Sequence, residues 1–338
     1  MLLASTGSGR AQSLRETFKR VTSSVAVIET KASDPATGGD QAADSEELVG
    51  SGFLISPDGK LLTAAHLVQI AEKVSVKFPQ CEVVQARVLA SEPSVDVALL
   101  QLDHVPHGAT VAVMGDSDQM EVGDEVFVVG APMGISPTMS YGHISGIRKP
   151  HRVFGDLSTG EEELLQTDAS INGGDSGAPM FNLSGEAVGI VSFGFGESEG
   201  ARGLNFVVTS NTARKLLLVQ KSFWSGFEGF ELRKELATAF NAPQSQGILV
   251  QRVAAGSPAH RLGLRPGNIS ATIEGERVLL GGDIILEIDG IQIGDKEFTE
   301  KLRQVVARQG AGQMGTVTVL RGGKRLQLPA SAPCDTHP

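Results

Sequence analysis

Between residues 48 and 209 short apolar runs recur at close intervals: Phe53–Ile55, Val74–Phe78, Val83–Leu89, Val95–Leu102, Glu125–Val129, Val188–Phe193 and Leu204–Val208. Clusters of Gly, Pro, Asp and Ser separate them. Short runs rich in Val, Ile and Phe and bounded by turn residues predict strands, and their regular spacing predicts a sandwich or a barrel. Val21–Ile28 predicts a further strand upstream. It lies between two polar stretches, 5–12 and 31–47, which read as a flexible start and an acidic surface loop.

The pattern then changes. Asn211–Val219 reads as a helix with Ser210 or Asn211 as its N-cap, closing the first unit. A second unit opens near Phe223, with a short helix at Arg233–Phe240 and strands at Gly247–Val253 and Asp283–Ile288. Ser257 and Pro258 pair a cap with a proline at the first helical position. In the predicted helix Lys296–Arg308, Phe298, Leu302, Val305 and Val306 share one face. This is a small α+β unit. Ala330–Pro338 reads as a disordered tail.

Composition narrows the picture. A chain of 338 residues suggests two domains, with a boundary near 215–222. Its 41 glycines follow no three-residue period, which excludes a collagen and favours a turn-rich β architecture. A net charge of −10 with no basic patch argues against nucleic acid as a partner. Cys81 and Cys334 are too few and too far apart for a disulfide framework or a zinc site, so no metal or other cofactor is expected. No run approaches the roughly 20 apolar residues of a membrane span, and no transmembrane segment is expected. Met1–Ala4 breaks into a polar stretch rather than a complete signal peptide, leaving a cytoplasmic location or a removed export signal as alternatives.

Candidate chemistry lies in three loops of the first unit: His66 in Leu62–His66, Asp96 in Ser94–Ala98, and Ser176 in Gly174–Gly177. The order His, Asp, Ser on a β-rich unit matches the chymotrypsin-like arrangement of a catalytic triad. A serine hydroxyl needs an imidazole to take its proton, and the imidazole needs a carboxylate to fix its tautomer. Val95, Val97 and Ala98 are expected to bury Asp96. Gly173 and Gly174 are expected to supply the torsions that let the N–H groups of Gly174 and Ser176 converge on an oxyanion. His104, His107, His143, His151, His260 and His337 read as ordinary surface or structural residues. Asp168 and Asp175 read as backbone-turn residues rather than a metal pair. Gly196–Gly200 matches a nucleophile elbow only as a pattern, since a strand and not a helix follows it.

The segments Gly50–Ile55 through His66, Asp96–Leu99, Thr167–Pro179 and Gly203–Phe206 resemble the HtrA family of trypsin-like serine proteases, and the second unit resembles the PDZ domain that follows in that family. The resemblance runs from about Ser13 to Pro329. It implies a mostly β fold: a double six-stranded barrel over 13–215, a linker at 216–222 and an α+β PDZ domain over 223–330, flanked by a flexible 1–12 and a disordered 331–338. The chain departs from the family pattern at Gly173, Asp175 and Asn205.

By resemblance, Ile171, Asn172, Gly203, Leu204 and Asn205 line a primary specificity pocket for small or medium aliphatic side chains, and 147–163 and 194–202 are regulatory loops. Trp224, Ser225, Gly226, Phe227 and Glu228 form the loop and strand start that receive a peptide's C-terminal carboxylate and pair with its backbone. Asn268–Leu280 is an insertion expected to form a surface hairpin. The implied activity is endoproteolysis of unfolded or damaged proteins in the periplasm or another extracytoplasmic compartment. The implied assembly is a homotrimer or larger homo-oligomer, with Phe18 a candidate contact. The rival reading is a non-proteolytic chaperone or PDZ adaptor with an inactive protease fold.

Overall fold

Six strands close a first barrel: β1 (Val25–Ser33), β2 (Ser45–Leu54), β3 (Lys60–Thr63), β4 (Lys73–Lys77), β5 (Val83–Glu92) and β6 (Val97–Leu102), in the order β1-β2-β3-β6-β5-β4. The computed structural model describes residues 6–33, 45–134, 137–148, 164–194, 204–220, 222–273, 275–295, 297–298, 301–302, 304–305 and 315–329. Of the two loops expected to regulate the site, 149–163 and 195–202 lie outside these residues, as do Gly203 and the tail from 330.

A second barrel follows from β7 (Val113–Met114), β8 (Glu125–Gly130), β9 (Thr138–Arg148), β10 (Leu164–Thr167), β11 (Pro179–Asn182), β12 (Glu186–Gly194) and β13 (Asn205–Thr209). Its sheet runs β11-β8-β9-β10-β13-β12, and the pairing of β11 with β12 closes a ring of six, with β7 added alongside β12. Leu61 and Leu62, adjacent on β3, are both fully buried, as are successive residues Val97–Leu100 of β6. Such strands are covered on both faces, which is why their sequences are continuous apolar runs rather than alternations. One side fills the first barrel. On the other, Phe53, Leu62, Val97 and Leu99 join Phe127, Phe181, Ile190 and Phe206 in one core, where the rings of Phe127 and Phe181 stack at 5.4 Å.

Three local expectations need correction. The polar start is not free chain from residue 6 onward, because one helix, α1 (Thr6–Thr22), begins there. Leu14, Phe18 and Val21, spaced four and three apart, give it an apolar stripe that packs on the core, so Phe18 is partly buried against its own barrel. Thr17 and Arg20 donate to the carbonyls of Leu183 and Ser184 at 3.3 and 2.6 Å, and the strand that follows begins at Val25 rather than Val21. A one-turn helix α2 (Ala65–Val68) follows β3. The closing helix starts earlier than expected: α3 (Ser210–Ala213) is capped by Thr209, whose Oγ1 accepts the Thr212 N–H, and Arg214–Val219 continue as a π-helical turn.

The chain divides into two compact units, the first dominated by 73–219 and the second by 220–338. In the second, β14 (Phe227–Arg233), α4 (Lys234–Ala239), β15 (Gln246–Val253) and α5 (Pro258–Leu262) come first. They are followed by β16 (Ile269–Ile273), β17 (Glu276–Leu280), β18 (Ile284–Ile288), β19 (Ile291–Gln292), β20 (Val317–Arg321) and β21 (Lys324–Leu328). The sheet order β14-β15-β18-β20-β21 leaves β14 at an edge. Ser257 caps α5, its Oγ accepting the His260 N–H at 3.1 Å with Pro258 at the first position. The insertion is a hairpin: β16 and β17 pair antiparallel from Ile269↔Leu280 to Ile273↔Glu276. The expected helix at 296–308 lies partly outside the described residues, but Phe298 and Leu302 pack against the core of Val250, Ile285 and Val319. Among the described residues no helix is long and apolar enough to cross a membrane.

Candidate active site and peptide-binding loop

His66 occupies the short turn after β3. Its neighbours Ala65, Leu67 and Val68 are buried, which leaves the imidazole as the solvent-facing member of α2. Asp96 sits in the turn between β5 and β6 with φ +61°, a left-handed conformation that aspartate tolerates better than most residues. Val95, Val97 and Ala98 are buried around it, and its side chain is only 13% exposed. The carboxylate accepts the His66 backbone N–H at 2.9 Å and stands 2.9–3.0 Å from Nδ1 with both oxygens. Burial by itself would lower the His66 pKa. The hydrogen bond and the charge of Asp96 outweigh it, and the imidazole is held above its ordinary value.

One participant was not legible in the sequence. Ser192 Oγ donates to Asp96 Oδ2 at 2.6 Å. The β12–β13 register shifts between Val191 and Val207 on one side and Phe193 and Phe206 on the other, so Ser192 lies in a bulge, a device that re-aims a side chain out of a regular strand.

Ser176 lies between β10 and β11, in a loop folded on itself. The Asp175 N–H donates to Asn172 O at 3.0 Å, and Asp175 Oδ2 accepts the Asn172 N–H at 2.9 Å. Asp175 is 5% exposed, and burial raises its pKa, offset in part by that hydrogen bond. Gly174 (φ +99°) and Gly177 (φ +83°) need the conformational freedom of glycine. Gly173 does not, because its φ is not positive and a Cβ there would meet nothing within 4 Å. A Cβ on Gly177 would collide with Ser51 O and Thr63 Oγ1 and lie 2.8 Å from Ala64 N. The serine loop is therefore pressed against the segment that leads into His66. His66 and Ser176 Oγ share no hydrogen bond in this structure.

Of the expected pocket residues, Asn205 pairs with Thr167 and Gly194, and its side chain is buried, Nδ2 donating to Ala169 O at 2.7 Å. Ile171 packs against the second-barrel core and Leu204 against the core between the barrels, while Asn172 is exposed. Asp168 accepts the His143 backbone N–H at 2.5 Å, a bond to β9 rather than within its own turn. Among the described residues no group of three or more His, Cys, Asp or Glu could hold a metal.

In the second unit, Gly226 has φ +72°, and a Cβ there would collide with Cβ of Ser257. The Gly226 carbonyl accepts the Ala254 N–H at 2.9 Å, and that of Ser225 accepts the Ala259 N–H at 3.0 Å. The 224–226 loop is thus clamped to the start of α5 and leads directly into edge strand β14, where Phe227 pairs with Val253 and Glu228 with Arg252.

The trypsin-like peptidase domain family matches residues 50–190, and the PDZ domain family matches 210–331. A Pseudomonas putida protein described as a probable periplasmic serine endoprotease DegP-like is 32% identical over 274 residues, covering 78% of this chain and 55% of its own length. A Hahella chejuensis protein of the same description is 32% identical over 300 residues, covering 86% of this chain and 57% of its own length. The chain thus spans a little over half the length of these curated relatives. Two solved structures of the HtrA-type protease AlgW, with a decapeptide and with a tripeptide, are 27% and 26% identical with TM-scores of 0.51 and 0.52. They cover 94% and 96% of this chain, and 97% and 99% of their own.

Fold and matches together define a trypsin-like peptidase domain followed by one PDZ domain. Over both domains the chain is similar to HtrA-type and DegP-like proteases.

Proposed function

We propose that the chain is a serine endopeptidase in which Ser176 is the nucleophile, His66 the general base and Asp96 the residue that orients it. The observation that carries the reading is the Asp96 carboxylate, buried between His66 Nδ1 and the Ser192 hydroxyl, which leaves Nε2 of the imidazole as the proton acceptor. Ser176 Oγ bonds to the substrate carbonyl carbon as its proton passes to His66 Nε2. The N–H groups of Gly174 and Ser176 receive the oxyanion. The C–N bond then breaks as the proton moves to the leaving amine. Water then attacks the acyl-enzyme carbonyl carbon as one of its protons passes to His66 Nε2; the ester C–O bond breaks, that proton moves to Ser176 Oγ, and the water's oxygen and other proton leave in the product acid. By family resemblance Ile171, Asn172, Leu204 and Asn205, together with Gly203 outside the described residues, are assigned to the pocket for the side chain before the cleaved bond.

The protease domain spans 13–215 and the PDZ domain 223–330. A peptide adds to the edge strand β14, with its carboxylate at Trp224–Glu228, so that unfolded or damaged chains are recruited by exposed hydrophobic segments. The relatives' description as periplasmic supports an extracytoplasmic setting, and family resemblance supports a role in quality control and a homotrimer or larger assembly. Incubation with unfolded casein, beside Ser176→Ala, tests the reading. Cleavage by the wild type alone is expected. Equal or absent cleavage in both would leave the rival, a chaperone or PDZ adaptor.

A further inference from the structure

We propose that Ser51, on β2 of the first barrel, is the positioning residue of the oxyanion loop. The inference rests on the serine-peptidase reading above. Ser51 is fully buried, and each of its polar groups is committed. Its N–H donates to the Ser176 carbonyl at 2.8 Å. Its Oγ–H donates to the Gly174 carbonyl at 2.7 Å. Its Oγ accepts the Ala131 N–H at 2.9 Å, and its carbonyl accepts Thr63 Oγ1–H at 2.7 Å.

Gly174 and Ser176 are the two residues whose N–H groups would stabilise the oxyanion, and one residue of the opposite barrel holds the carbonyls of both. An N–H direction is fixed relative to its own carbonyl by φ and ψ of that residue. Gly174, with φ +99°, is the link most easily rotated. The contact is too close for other side chains nearby: a Cβ at Gly50 would collide with Leu67 and lie 3.0 Å from Ser176 O, and one at Gly177 would collide with Ser51 O. Ser51 is the smallest side chain that brings a hydroxyl into this space.

Ser51→Ala keeps the backbone bonds to Ser176 and Thr63 and removes those to Gly174 and Ala131. A catalytic group displaced by about 1 Å costs on the order of 10²-fold in rate, so kcat should fall about 10- to 100-fold. KM should move less than about 3-fold, because the substrate's ground-state contacts are untouched. Ser51→Cys fills the same space with a weak donor and separates packing from hydrogen bonding.

The test compares wild type, Ser51→Ala and Ser51→Cys in the full chain. It uses a fluorogenic peptide with Val before the cleaved bond and the matching peptide boronic acid, whose tetrahedral adduct needs the oxyanion donors. Thermal melts fix the folded fraction, and Cys carries the test if Ala does not fold. The expected result is a fall in kcat at nearly constant KM for both variants, with boronate affinity falling in parallel. Wild-type kcat in folded Ser51→Ala, or full restoration by Ser51→Cys, overturns the proposal alone. A wild type that cleaves nothing overturns the peptidase reading and this inference with it.

Discussion

Ser192 Oγ donates to the same carboxylate oxygen of Asp96 that faces His66 Nδ1, at 2.6 and 2.9 Å respectively. The carboxylate is therefore shared between the imidazole and a hydroxyl of the second barrel. A hydrogen bond to a charged group contributes roughly 1.5–3 kcal/mol, so Ser192→Ala should lower kcat/KM by about 10-fold or more. With that donor gone, the negative charge of Asp96 bears more fully on His66, and the acidic limb of the pH–rate profile should move to higher pH. Steady-state kinetics on a fluorogenic peptide between pH 5 and 9 would check both.

The same pair sets the pH dependence of the wild type. Burial lowers the His66 pKa, but the hydrogen bond and charge of Asp96 raise it by more. With His66 as the proposed general base, activity should fall as pH drops through a value above histidine's ordinary one. For stability the sign is opposite: the pair's contribution is complete below the unfolded-state pKa of His66 and is lost as pH rises through the folded value. Asp96→Asn removes both raising causes. Its residual activity should show a limb at lower pH, with kcat reduced by about 10⁴ through loss of the required tautomer.

Asp175 makes a second pH-dependent prediction. Burial raises its pKa, so the folded state favours the neutral acid. That contribution is complete below the unfolded-state pKa and is lost as pH rises through the folded one. Asp175→Asn keeps an oxygen to accept the Asn172 N–H and carries no charge at any pH. It should therefore stabilise the protease domain at pH 7.5 and do little at pH 4. A gain of about 1 kcal/mol corresponds to roughly 2–4 °C in Tm for a domain of this size. Calorimetry at the two pH values decides, and equal shifts at both would count against a buried ionised carboxylate.

Much of this was legible because the chemistry is local. His66, Asp96 and Ser176 each sit in a short motif, and the buried residues beside Asp96 are its sequence neighbours. The β16–β17 hairpin and the Ser257–Pro258 cap could also be read from adjacent residues. Ser192 and Ser51 could not. Their hydroxyls act across 96 and 123 positions of chain, through a bulge and through barrel-to-barrel contact that no periodicity encodes. The α1 helix was hidden because Gly, Ser and Ala dominate its first turns, while the stripe that docks it, Leu14, Phe18 and Val21, comes late. Gly173 and Gly174 are alike in sequence, and only Gly174 carries the positive φ.

In the PDZ unit, Asp283 is 1% exposed and meets Arg321 through two bonds of 2.7 Å, Nε to Oδ1 and Nη2 to Oδ2. It also accepts the Arg265 N–H at 2.9 Å, while Arg321 donates to Gly263 O at 2.7 Å. The carboxylate holds the arginine's pKa above its ordinary value. Removing Arg321 strands the buried carboxylate, so Arg321→Ala should destabilise this unit by roughly 3–5 kcal/mol. The double variant Asp283→Leu with Arg321→Met should lose far less, because neither charge remains to be solvated. Urea melts of the full chain, followed by Trp224 fluorescence, would separate the two outcomes.

Gly226 offers the sharpest test of the peptide loop. Its φ of +72° is strained for any side chain, and a Cβ would strike Ser257, which caps α5 and whose Oγ donates to the Gly226 carbonyl at 3.3 Å. Gly226→Ala must therefore move the loop away from α5, carrying its N–H groups off the position where a carboxylate would bind. A hydrophobic peptide with a free C-terminus should lose at least about 10-fold in affinity, the equivalent of roughly one to two charge-assisted hydrogen bonds. The amidated peptide should bind wild type weakly and be nearly insensitive to the substitution, because it never used the carboxylate contact. Fluorescence anisotropy with both peptides on both proteins gives a four-way comparison. Equal affinity of free and amidated peptide for wild type would remove the carboxylate role from Gly226, and an intact free-acid affinity in Gly226→Ala would show that the loop tolerates the displacement.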